Sequence, residues 1–193
     1  ETTAIIGGTG SGKSTIVNLI PRFFDVTSGE ILIDGVDIRD MKQKDLRRKI
    51  GYIPQKGVLF SGTIESNIKY GKPNASEKEV KNVVKISQAS EFIDSLKQKY
   101  AYPIAQGGAN ISGGQKQRLA IARALITEPE IYIFDDSFSA LDFKTDAKLR
   151  NELKKLIKNS TVIIVAQRIG TILDAEQIVV LEEGKIVGIG KHK

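Results

Sequence analysis

Gly7-Gly8-Thr9-Gly10-Ser11-Gly12-Lys13-Ser14, followed by Thr15, satisfies the spacing G-x-x-x-x-G-K-[ST] in full. The chemistry this suits is the cradling of a polyphosphate. Glycines let the backbone curl until its N–H groups point inward. Lys13 supplies a cation for the β- and γ-phosphates, and the Ser14 hydroxyl is an oxygen donor for Mg2+. A bare Gly/Ser turn would not explain a lysine and a serine in this register. A second oxygen donor stands far along the chain. Ile131-Tyr132-Ile133-Phe134 is an apolar run that delivers the carboxylate of Asp135 at its C-terminal end, where open α/β sheets bind ligands. Asp135 would hold Mg2+ opposite Ser14. The expected ligand is a nucleoside triphosphate with its metal ion.

The loop works only if a strand leads into it and a helix leads out. Ala4-Ile5-Ile6 reads as a buried strand, and residues 15–20 as a helix stopped by Pro21. Strand and helix signals then alternate, which predicts an α/β fold with a mainly parallel core sheet. Residues 30–33 and 36–38 around Asp34-Gly35 read as a hairpin at the sheet edge. A short helix closes at residues 46–49 before the strand Gly51-Tyr52-Ile53. Residues 63–125 read as mostly helical, with a capping box at Ser76-x-x-Glu79 and another helix over 87–97. A helical block between strands predicts an inserted lobe at about 63–127, flanked by core segments 1–62 and 128–193. A charged helix over 146–158 and a buried strand over 161–166 come next. Residues 177–181 and 185–189 flank Glu183-Gly184 as a last hairpin. Tyr52, Tyr132 and Phe134 are expected in the core.

The chain has 193 residues and a net charge of +6, with no cysteine. That length suits one domain with a lobe. The absence of thiols excludes disulfides and thiolate metal sites and fits a reducing compartment. No apolar run approaches a membrane span. The lysines are scattered at helical spacing beside acidic residues, without interleaved aromatics. They read as solvated helix faces, and no nucleic-acid partner is expected. The first residue is Glu and the tail Gly190-Lys191-His192-Lys193 trails off, as expected of a piece of a longer polypeptide. His192 reads as an exposed tail residue.

Ile111-Ser112-Gly113-Gly114-Gln115-Lys116-Gln117-Arg118 resembles the L-S-G-G-Q signature of ATP-binding cassette (ABC) proteins, with Ile in the first place. Ser112 alone would suit a helix N-cap, but two glycines in a first helical turn cost stability and ask for another reason. Further matches cover nearly the whole chain. Gln55 after Tyr52-Ile53-Pro54 is similar to the Q-loop glutamine, Ser139-Ala140-Leu141-Asp142 to the D-loop, and Gln167 stands at the switch position. Phe60-Ser61-Gly62-Thr63-Ile64-x-x-Asn67-Ile68-x-Tyr70-Gly71 resembles the segment after the Q-loop in exporters. The resemblance implies a P-loop NTPase fold with an antiparallel β edge and a helical lobe carrying the signature. It implies ATP and Mg2+ as ligands, with Ser14, Gln55 and Asp135 at the metal. Ser112, Gly113, Gly114 and Gln115 would close in trans over ATP on a second cassette. Transmembrane domains would be the other partner, at the cytoplasmic face of the membrane. The adenine-stacking A-loop strands would lie before Glu1, and the domain's C-terminal end beyond Lys193.

Two departures from the family pattern fall on the chemistry. The base after Asp135 is ordinarily Glu and is here Asp136; the switch residue is ordinarily His and is here Gln167. Both line the nucleotide that Lys13 would hold, while the signature is intact. The expectation is therefore a hydrolytically weak site in this chain, whose signature completes a working site on a non-identical partner cassette. A homodimeric slow ATPase and a non-hydrolysing regulatory module are the alternatives. A soluble ABC ATPase acting on DNA or ribosomes would need coiled-coil insertions or a second cassette, which this sequence lacks. A softer departure is Ala105-Gln106-Gly107-Gly108, where exporters often carry Gly-Glu-x-Gly.

Overall fold

The computed structural model describes every residue except Arg168, Ile169, Thr171 and Lys193, so Lys193 of the expected tail lies outside the described residues. In chain order the elements begin with β1 (Thr2–Gly7), α1 (Lys13–Leu19), β2 (Leu32–Ile33), β3 (Val36–Asp37), α2 (Gln43–Arg48) and β4 (Ile50–Ile53). Next come β5 (Gly62–Thr63), α3 (Ile64–Ile68), α4 (Glu77–Ile86), α5 (Ser90–Ser95), β6 (Pro103–Ile104) and α6 (Gly113–Leu125). The last are β7 (Ile131–Asp135), α7 (Phe143–Leu156), β8 (Thr161–Val165), β9 (Gln177–Glu182) and β10 (Lys185–Gly190). They divide into two compact units, one of Glu1–Tyr52, Pro129–Asp136 and Asn159–Lys193, the other of Ile53–Glu128 and Ser137–Lys158.

The first unit is built on a six-stranded sheet in the order β10-β9-β1-β8-β7-β4. β1 pairs in parallel with β8 and β9, β7 pairs in parallel with β8, and β10 returns antiparallel along β9 as the edge. Parallel strands buried on both faces read as unbroken apolar runs. Accordingly Tyr132, Ile133 and Phe134 on β7 are all buried. Neighbours on β1 point to opposite faces. Ile5 joins a cluster with Val17 of α1, Leu46 of α2, Ile133 and Val165, while Ala4 joins Ala166, Ile172, Ala175 and Ile178. Register aligns the strand ends, with Ile5 opposite Val165 and Val165 opposite Asp135. β8 and β7 therefore end together, and β1 runs past them to Gly7, so the three loops emerge on the same side of the sheet.

The expected edge hairpin at Asp34-Gly35 is instead a separate two-stranded sheet of β2 and β3. Its turn residues have φ of 52° and 80°, the left-handed pair that a tight hairpin requires. Its inward residue Ile33 joins the cluster with Val17, so the hairpin is anchored by a side chain and not by a ladder to the main sheet.

In the second unit α6 packs on α3 and α4, and α4 also packs on α5 and α7. Buried positions on α6 include Leu119, Ile121, Ala122 and Leu125, and on α4 Val80, Val83 and Val84. Ser76 and Glu79 form the capping box expected from the sequence. The stretch expected to be mostly helical also contains one small antiparallel pair, β5 with β6. The helix expected over 87–97 is shorter, Ser90–Ser95. Gln88 before it takes φ 58°, which breaks the helical run. Lys69, Lys81 and Lys155 pair with acids one turn away, Glu65, Glu77 and Glu152. Among the described residues no helix is long and apolar enough to cross a membrane.

Candidate functional site

The glycine-rich loop leaves β1 at Gly7, where a Cβ would collide with the carbonyl oxygen of Leu181 on β9. Gly12 opens α1 with φ 97°, a conformation that a residue with a Cβ adopts only at a cost. No side chain caps α1. Lys13 folds back over the loop, its ammonium donating to the carbonyls of Gly7 at 2.7 Å and Gly8 at 2.6 Å and to Ser11 Oγ at 3.3 Å. The loop is closed from the other side by the β9–β10 turn, because the Gly184 amide donates to the Ser11 carbonyl at 3.1 Å. Sequence reasoning missed that support. Its only signal was the Glu183-Gly184 turn itself, which says nothing about where the turn docks.

Ser14 and Asp135 are brought together: Ser14 Oγ donates to Asp135 Oδ1 at 2.9 Å. Both are hard oxygen donors of the kind Mg2+ takes, with room on the exposed Ser14 side for phosphate and water oxygens to complete the shell. The residues present fit the ion. The second carboxylate oxygen, Oδ2, lies 3.0 Å from the hydroxyl of Tyr52, which also lies 2.8 Å from Asn18 Oδ1 on α1. Tyr52 was expected in the core. It is half-buried, its ring set edge-on to Phe23 at 5.5 Å, with its polar tip in the site. Burial first, and then the negative charge of Asp135, push the phenol well above its ordinary value, so it stays protonated as a donor. Tyr132 and Phe134 are core residues, as expected.

Asp136 follows β7 with φ 48°, and its amide donates to the Val165 carbonyl at 2.9 Å. The residue is only 9% exposed, and Oδ2 accepts a hydrogen bond from Gln167 Nε2 at 3.2 Å. The two residues that break the family pattern are thus each other's partners. A cleft of about 340 Å³ lies beside them, lined by Ile6, Gly7, Gly8, Thr9, Ala166, Gln167 and Ile172.

The remaining site residues belong to the helical unit. Ser112 caps α6 and accepts from the Gln115 amide at 3.3 Å, while Gln115 Oε1 accepts from the Ser112 amide at 2.9 Å, a reciprocal capping box. A Cβ on Gly113 would meet no described atom within 4 Å, and one on Gly114 would come to 3.4 Å from the Ala140 carbonyl. Nothing local therefore requires glycine at 113. Gln55 is exposed, in a loop whose two ends are clamped by a residue that sequence reading passed over. Fully buried Gln117 accepts from the Gly57 amide at 2.7 Å and donates to the Pro54 carbonyl at 2.9 Å. Asp142 caps α7 by accepting from the Thr145 amide at 2.9 Å. Gln106–Gly108, the softer departure, forms a 3-10 turn.

The ABC transporter family profile matches residues 1–139. An uncharacterized ABC transporter ATP-binding protein of Mycobacterium tuberculosis is 48% identical over 197 residues, which take in 100% of this chain and 33% of the relative. A Staphylococcus aureus ATP-binding/permease protein, named for multidrug export, is 47% identical over 193 residues, again 100% of this chain and 33% of its own. Among solved structures, a bacterial Atm1-family ABC exporter with ATP bound is similar at TM-score 0.95 and 42% identity, over 98% of this chain and 33% of that one. The chain spans 33% of the length of the curated relatives it matches.

Proposed function

The chain belongs to the ABC transporter family and is an ATPase domain of that family, and from that premise we propose that it is the cassette of an exporter with a weak site of its own. Its signature completes the working site of a non-identical partner cassette. ATP binding clamps the two head to tail beneath transmembrane domains, at the cytoplasmic face of the membrane, and turnover at the partner's site releases them.

In this reading the Lys13 ammonium leaves the Gly7 and Gly8 carbonyls for the β- and γ-phosphates, and the backbone from Gly7 to Thr15 wraps the phosphate chain. Ser14 and Asp135 would hold Mg2+, with Gln55 added by the family pattern, and the ion when bound would neutralise charge on the phosphates. Hydrolysis needs a base to take a proton as a water oxygen bonds to the γ-phosphorus and the bond to ADP breaks. By the family pattern Asp136 takes the place of that base, with its carboxylate one methylene short. A misplacement of about 1 Å can cost about 10²-fold. Gln167 donates a hydrogen bond without positive charge, and loss of one well-placed transition-state donor costs about 10²- to 10³-fold elsewhere. The two losses share one site and do not simply add.

The observation that carries the proposal is the 3.2 Å contact between Gln167 Nε2 and Asp136 Oδ2. Both substitutions act on one γ-phosphate position, and the amide occupies an oxygen that a base would use. The open space around Gly113 supports the complementary half, because a glycine without local cause suits close approach by another molecule. The test is ATP turnover by the Asp136→Glu, Gln167→His double variant at concentrations that permit dimerisation. A rise of about 10²-fold or more is expected. Brisk turnover by the wild type with little gain in the variant would overturn the weak-site reading.

A further inference from the structure

We propose that Tyr52 is a positioning residue for Asp135: its hydroxyl pins Oδ2, so that Oδ1 keeps facing Ser14 whether or not Mg2+ is bound. The inference rests on Ser14 and Asp135 being the metal site. Both oxygens of Asp135 accept in this structure, Oδ1 from Ser14 at 2.9 Å and Oδ2 from Tyr52 at 3.0 Å. A cation that took the lone pairs of Ser14 Oγ would still leave its proton facing Oδ1, while the Tyr52 bond lies on the other carboxylate oxygen. With Oδ2 held by Tyr52, rotation about the Asp135 side chain is fixed from the oxygen that does not face Ser14.

Proton counting supports the direction of this bond. A phenol has one proton, and the Tyr52 hydroxyl has two neighbours, Asn18 Oδ1 at 2.8 Å and Asp135 Oδ2 at 3.0 Å. A charged acceptor makes the stronger bond, so the proton goes to Asp135. Asn18 then serves best with its amide turned, the NH2 donating to the phenol oxygen. The result is a relay of orientation: Asn18 on α1 holds Tyr52 on β4, which holds Asp135 on β7.

The ring is a stiff strut for this purpose. It packs against the cluster containing Val17 and Leu46, and Phe23 meets it edge-on at 73°. Phe23 is in turn covered by the Arg47 guanidinium at 5.5 Å, and Arg47 is tied to the carbonyls of Pro21 and Arg22, each at 3.1 Å. A phenylalanine would fill the same space and keep that packing. The hydroxyl is therefore separable from the ring, which makes the role testable.

The readout is the ratio of ATP dissociation constants measured by calorimetry in EDTA and in saturating Mg2+, using the 193-residue chain. Partners that orient metal ligands typically change metal affinity by about 10- to 100-fold. Tyr52→Phe is expected to leave ATP binding in EDTA unchanged, to fold with a nucleotide-free melting temperature lowered by a few degrees, and to shrink the Mg2+ ratio about tenfold or more. Asp135→Asn is the reference. If Asp135→Asn leaves the ratio intact, the metal site itself is misassigned. If Asp135→Asn collapses the ratio and Tyr52→Phe retains it, Tyr52 does not position the carboxylate. Should Tyr52→Phe fail to fold, Asn18→Leu, which removes the other end of the relay, must shrink the ratio by itself for the proposal to stand.

Discussion

Replacing Gln117 with leucine keeps the bulk of the side chain and deletes both hydrogen bonds that pin the Gln55 loop. In the native chain the glutamine is 0% exposed and holds the Gly57 amide at 2.7 Å and the Pro54 carbonyl at 2.9 Å. Neither group gains a substitute from leucine. Each stranded buried group costs about 1–3 kcal/mol. The loop is only half-buried, so partial hydration recovers some of this, and leucine adds apolar contact. The expected net loss is about 2–3 kcal/mol, measured as a fall in unfolding free energy in urea. A local readout separates loop from fold: exchange at the Gly57 amide should quicken by about 30- to 150-fold, the same energy expressed as a rate. Gly57 is not free to drift closer for compensation, since even a Cβ there would collide with the Lys116 backbone. Unchanged stability, within about 0.5 kcal/mol, together with unchanged Gly57 exchange would refute the clamp.

The helical unit carries two further expected outcomes. Gly113→Ala should stabilise the isolated chain by about 0.5–1 kcal/mol, because alanine is the better helix former and the site is open. The same change should lower ATP turnover in the assembled cassette pair, measured by phosphate release. Glu79 is held down to about 2 by Lys72 and then by the Ser76 hydroxyl and amide, below the ordinary carboxylate range. Its folded value lies under its unfolded one, so its contribution is complete above about pH 4.3 and is lost as pH falls towards 2. The melting-temperature gap between wild type and Glu79→Gln should therefore be present at pH 6 and close across that window.

The residues that sequence made legible are those whose neighbours are local or whose spacing is dictated by chemistry. The glycine loop announces itself because curling a backbone round phosphate demands glycines, lysine and serine in one register. Asp135 is legible because an apolar strand ending in a carboxylate has few other uses beside such a loop. The capping boxes at Ser76 and Ser112 close within one turn of helix. By contrast, nothing in the run Lys116-Gln117-Arg118 tells which polar side chain turns inward, because that depends on Pro54 and Gly57 arriving from another part of the chain. Tyr52 looks like one more aromatic on an apolar strand until α1 brings Asn18 against its hydroxyl. The detachment of β2–β3 from the main sheet was equally hidden. Its turn chemistry specifies a hairpin and leaves the hairpin's docking to the Ile33 side chain.

Edge hairpins are ordinarily the places where a fold gains or loses residues most cheaply, since a longer turn protrudes into solvent and disturbs nothing. The β9–β10 turn has no such latitude. Its Gly184 amide is one end of the bond to the Ser11 carbonyl, so turn length sets the width of the loop at the opposite end of the sequence. One added residue would move the donor off its acceptor while leaving every strand paired. The damage would surface as weakened nucleotide affinity in a protein that still folds. In variation among related chains, the length of this hairpin should be as invariant as the spacing of the glycines it braces.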